Sequence, residues 1–73
     1  MPKPPRISGQ EAVKAFQRAG WEVARQRGSH VVMIRRGSIF TLSIPLHGEL
    51  GPGLLRDQIR KAGLTVEEFE TFL

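Results

Sequence analysis

The sequence predicts an α+β fold in two layers: a three-stranded antiparallel sheet with helices on one face, in the order α-β-β-β-α, followed by a short C-terminal helix. Three observations predict it. Ser8-Gly9-Gln10-Glu11 and Thr65-Val66-Glu67-Glu68 are capping boxes, and each opens a segment with apolar residues at helical spacing. Between them lie three runs suited to strands, separated by glycine-containing turns too short for anything but antiparallel neighbours. Finally, 73 residues make one domain, near the lower limit at which a hydrophobic core suffices without disulfide or metal staples.

Residues 1–6 hold three of the five prolines and read as a disordered lead-in, with the single domain over 7–73. The first helix follows Ser8. Ala12, Val13, Phe16 and Ala19 form its apolar stripe, and Gly20 stops it. Trp21, Val23 and Arg25 then alternate with Glu22, Ala24 and Gln26, the period-two pattern of a half-buried strand, with Trp21 assigned to the core. Gly28-Ser29 turns the chain into a second strand over 30–35. Arg36-Gly37-Ser38 turns it again into a third strand over 39–44, with Phe40, Leu42 and Ile44 on one face and Pro45 as its stop. A glycine-rich loop leads to a second helix starting near Pro52 or Gly53, carrying Leu54, Leu55, Ile59 and Ala62 and closed by Gly63. Phe69, Phe72 and Leu73 anchor the terminal helix. Two helices cover one face of such a sheet and leave the other free for function.

Composition narrows the function classes. The chain has no cysteine, which removes disulfides, thiolate metal sites and cysteine nucleophiles and suits a reducing cytoplasm. No segment has the apolar length of a membrane span, so no membrane partner is expected. Eleven Lys and Arg against seven Asp and Glu give a net charge of +4, and the cations are mostly arginine. Arginine forks match phosphate oxygens, so a polyanion partner is the natural inference, with a solvated basic surface as the plainer one.

The histidines carry the remaining chemistry. There are two, His30 and His47, each beside a glycine at the edge of an apolar run. They lack the flanking carboxylates of a coordination shell, so no metal or cofactor is expected. Asp57 is the sole aspartate and no nucleophile elbow is present, which disfavours a serine hydrolase. One histidine among arginines suits RNA cleavage, because RNA carries its own nucleophile in the 2′-hydroxyl and imidazole takes or gives a proton near neutral pH. In that reading Gly28 and Ser29 shape the turn presenting His30, and Arg25, Arg27, Arg35 and Arg36 bind phosphate. The plainer alternative makes His30 a turn-edge residue bonded to a carbonyl, and Arg35 and Arg36 charges that protect a strand edge. His47 is assigned to holding the loop over 45–53, with a secondary site as its alternative.

The chain resembles the HicA toxin family. The resemblance rests on Ala19-Gly20-Trp21 at the helix end, Gly28-Ser29-His30 at the strand start, Ile44-Pro45-Leu46-His47-Gly48, and the run from Gly53-Leu54-Leu55-Arg56-Asp57-Gln58 through Ile59-Arg60-Lys61-Ala62-Gly63-Leu64, in that order over residues 7–72. It implies a double-stranded-RNA-binding-domain-like fold and an mRNA interferase, the endoribonuclease toxin of a HicA–HicB toxin–antitoxin pair. The family's catalytic histidine falls on His30 and its glycine on Gly28. A HicB-type antitoxin that covers the histidine is then the second partner beside RNA. Val31, Val32 and Met33 after the histidine, and Glu49, Leu50, Gly51 and Pro52 in place of lysines after His47, depart from the usual pattern. Two other functions compete: an RNA-binding module without catalysis, and a protein-interaction domain for an acidic partner.

Overall fold

In the computed structural model, which describes residues 3–73, helix α1 (Gly9–Arg18) begins at the Ser8 capping box. The Glu11 N–H donates to the Ser8 hydroxyl at 3.1 Å and the Ser8 N–H donates to the Glu11 carboxylate at 3.0 Å. Those bonds satisfy two N–H groups that an α-helix leaves orphaned, and they hold the Glu11 carboxyl below its ordinary range. The contribution is complete at neutral pH and fades as pH falls through the lowered folded-state value. Ser8→Ala is expected to cost about 1 kcal/mol, read as a drop of several degrees in Tm. Ala12, Ala15 and Phe16 are buried, and Gly20, at φ +101°, turns the chain out of the helix.

Three strands follow: β1 (Glu22–Arg27), β2 (His30–Ile34) and β3 (Leu42–Pro45), antiparallel in the order β1-β2-β3. Helices α2 (Pro52–Lys61) and α3 (Val66–Glu70) complete the chain, the latter opened by the Thr65–Glu68 capping box. Val31, Met33, Leu42 and Ile44 supply the buried face of the sheet, and Phe16, Leu55 and Ile59 the helical layer above it. The Phe16 and Phe69 rings meet at a centroid distance of 4.9 Å and a 46° tilt, which docks α3 on α1. The Arg18 guanidinium adds a 2.7 Å bond to the Phe72 carbonyl. This is the α+β architecture read from the sequence, in the same element order. Among the described residues no helix is long and apolar enough to cross a membrane.

Several elements differ from the sequence reading. The third strand starts at Leu42 rather than at residue 39. Ser38 N–H bonds the Arg35 carbonyl, and Phe40 N–H bonds the Ser38 hydroxyl, each at 3.1 Å. These local bonds use groups that a ladder would need, and β2 has already ended at Ile34. Phe40 is therefore half exposed instead of lying on the core face. The first strand is exposed along its whole length rather than half-buried, because it is a sheet edge and its register shifts between Val23 and Arg25. Trp21 packs in the core as read, with its indole N–H unpartnered among the described residues. Leu54, read on the apolar side of the second helix, and Leu73, read as an anchor of the terminal helix, are both partly exposed. Residues 3–6 have no regular secondary structure, yet Pro4 is buried; the start of the lead-in, Met1 and Pro2, lies outside the described residues.

The other sheet edge is covered from above. Gln58 is buried in α2, and its side-chain oxygen accepts the main-chain N–H of Ser43 at 3.0 Å. A donor of the edge strand is thereby satisfied from within the molecule.

Candidate active site

Residues directly opposite in an antiparallel ladder point to the same face. The pairs Val31↔Ile44 and Met33↔Leu42 are buried beneath the helices, so the intervening pairs His30↔Pro45 and Val32↔Ser43 belong to the open face. Across the hairpin, Arg27 pairs with His30 and Arg25 with Val32, which brings both arginines to the face of His30. The bulge at Ala24 then reverses the alternation. Val23 pairs with Met33 and faces the helices, whereas the sequence pattern set Val23 and Arg25 on one side. The open face near His30 thus carries arginine on one flank and the exposed Ser43 on the other, while Pro45, the partner of His30, is itself buried.

The placement of His30 is local in origin. Gly28 has φ +56° and Ser29 a negative φ, so glycine occupies the first central position of the two-residue turn, the arrangement that matches strand twist in a type II′ hairpin. The Gln26 amide donates to the Gly28 carbonyl at 3.0 Å, and Leu46 N–H donates to the Ser29 carbonyl at 2.6 Å. His30 therefore begins the middle strand with β1 on one side and β3 on the other. Its ring is exposed, and no side-chain hydrogen bond among the described residues ties either ring nitrogen. Such a ring, on a fixed backbone with two cations on the same face, is open to a ligand from solvent, and an imidazole is a side chain able to exchange a proton with one.

Arg35 and Arg36 are not part of this group. They follow the far end of β2, five residues beyond His30, or roughly 16 Å along the strand. Arg60 and Lys61 at the end of α2 line the same hollow as these two arginines, a grouping invisible in the sequence because it joins a loop to a helix terminus. His47 is exposed two residues beyond Pro45, the partner of His30. Its carbonyl, and not its ring, holds the loop by accepting the Gly9 N–H at 2.9 Å, and Leu50 N–H adds a 2.9 Å bond to the Ile7 carbonyl. Among the described residues these main-chain bonds tie the loop to the start of the first helix. Among the described residues no three His, Asp or Glu side chains converge as metal ligands.

The sequence profile described as HicA toxin of bacterial toxin–antitoxin matches residues 9–64. Among solved structures, a chain of a toxin–antitoxin complex from Streptococcus pneumoniae is similar at 36% identity and a TM-score of 0.69, covering 80% of this chain and 98% of that one. No curated protein matches the chain.

Proposed function

This chain belongs to the HicA toxin family of bacterial toxin–antitoxin systems, and from that membership we propose that it is an mRNA interferase, an endoribonuclease whose proton-transfer group is His30. The observation that carries the reading is the exposed imidazole at the start of the middle strand, on the same open face as Arg25 and Arg27. The RNA 2′-hydroxyl attacks the adjacent phosphorus and the bond to the 5′-oxygen breaks. His30 takes the proton from the nucleophile or delivers one to the leaving oxygen, while Arg25 and Arg27 bind the charged phosphate oxygens. The products are a 2′,3′-cyclic phosphate and a 5′-hydroxyl end. Because the nucleophile comes from the substrate, the step needs no metal-bound water.

The second partner is a HicB-type antitoxin. A protein that lays acidic side chains against Arg25 and Arg27 and covers His30 blocks the face on which RNA must lie. Exposure of that whole edge strand leaves room for such a partner. The protein is expected to act in the cytoplasm, where its RNA substrate is.

Cleavage of a 5′-labelled mRNA by the purified protein in EDTA tests the reading, with the product ends analysed for the cyclic phosphate. Discrete cuts with that end chemistry are expected. Salt-sensitive binding without any scission would replace the enzyme by an RNA-binding module. Strict dependence on a divalent ion would overturn the mechanism.

A further inference from the structure

Away from His30, at the far end of the sheet, residues following β2 and the last turn of α2 enclose an open hollow of about 440 Å³. Arg35, Arg36, Arg60 and Lys61 line it, together with Phe40, which is 48% exposed. We propose that this hollow is a second RNA subsite, holding a nucleotide of the same strand several positions from the bond at His30. It rests on the ribonuclease reading for what lies at His30.

The chemistry of the lining points to a single-stranded nucleic acid. Three of the four cations are arginines, whose planar forks suit phosphate oxygens, and an exposed aromatic ring beside them offers a stacking surface for a base. The Arg35 guanidinium lies over Gly20, 3.7 Å from where a Cβ would stand, an ordinary contact distance that sets it beside the end of α1. One carboxylate opposes the cations. Asp57 bonds Arg60 at 2.7 Å and Lys61 at 3.2 Å, and these two partners hold its carboxyl below the ordinary range. A phosphate in the hollow therefore competes with Asp57 for two of the four cations.

The separation sets the length of RNA needed. His30 and Arg35 are roughly 16 Å apart along β2, a minimum for an RNA that must pass from the open face round the end of the sheet to the hollow. A strand therefore needs at least about three to five nucleotides, given phosphates roughly 3.4 Å apart when stacked and farther when extended. Shorter RNA reaches one end only. Binding is then expected to rise in a step with length, not smoothly.

The test uses fluorescent oligouridylates of about two to eight nucleotides, bound to the His30→Ala chain so that none is cut. An affinity gain of about tenfold is expected once the length passes roughly four nucleotides. Arg36→Gln with Arg60→Gln should remove that gain, and Asp57→Asn should raise it two- to threefold, which a merely structural aspartate would not do. His30, Arg36 and Arg60 are exposed and Asp57 is half-buried, and thermal melts check that each variant folds. A smooth rise with length, or a step that survives the double substitution, overturns the subsite. So does polyglutamate competing as well as RNA of equal charge, an outcome that assigns the hollow to an acidic protein. The parent chain, assayed for cleavage on the same oligonucleotides, separates the two ideas. A length step without cleavage removes the nuclease and keeps the subsite; cleavage without a length step does the reverse.

Discussion

His30→Ala is expected to lower cleavage of a labelled mRNA by about 10²- to 10⁴-fold, the range over which a positioned proton-transfer group acts. Thermal unfolding should move little, because the ring is exposed and surface substitutions away from caps and turns stay within about 0.5 kcal/mol. The backbone that presents the ring is held by its neighbours, through the Leu46 bond to Ser29 and the Gln26 bond to Gly28, and neither needs the imidazole. RNA affinity should survive for the same reason, since Arg25 and Arg27 remain on the open face. The expected signature is binding kept, folding kept and scission lost. Expression in a bacterial host gives a second readout: the parent arrests growth and the variant does not. Equal cleavage by both chains would remove His30 from the mechanism and turn attention to His47, which is exposed just beyond the paired Pro45.

What the sequence made legible was written locally. Ser8 with Glu11 and Thr65 with Glu68 lie three residues apart, so each capping box closes without help from the rest of the chain. Gly28 and Ser29 form a two-residue turn for the same reason, and those two residues alone are enough to place His30 at the head of a strand. What the sequence hid depends on partners distant along the chain. Ala24 looks like any residue of an alternating strand, and only pairing with β2 shows that it bulges and sends Val23 to the helical side. Phe40 fits a core stripe with Leu42 and Ile44, but β2 ends before it and leaves nothing to pair with. Gln58 reads as a polar position of an amphipathic helix, whereas it is buried to satisfy Ser43. The arginines are the functional instance. All four are close in sequence to His30, yet the length of β2 divides them into two beside it and two at the other end of the sheet.

Gly9→Ala is expected to be the most damaging small substitution to the fold, and to reach the candidate site through the backbone. Gly9 is buried as the first residue of α1, and its N–H donates to the His47 carbonyl. A Cβ there would run into the Pro45 carbonyl oxygen and lie 2.8 Å from Leu46 Cα. These are main-chain atoms, so no rotamer change relieves the collision; either α1 or the segment after β3 must shift. Overpacking of this kind costs about 1–3 kcal/mol, against a total stability of roughly 4–11 kcal/mol for a chain this long. Tm should fall by roughly 5–20 °C. The displaced segment is the one that pairs Pro45 with His30 and bonds Leu46 to Ser29, so RNA cleavage well below the melting point should fall further than the unfolded fraction explains. Gly53→Ala provides the contrast. A Cβ there meets nothing within 4 Å inside α2, and the change should be neutral or stabilise by up to about 1 kcal/mol. If both variants melt with the parent, helix α1 is not wedged against the strand end, and the seat of His30 does not depend on the close approach at Gly9.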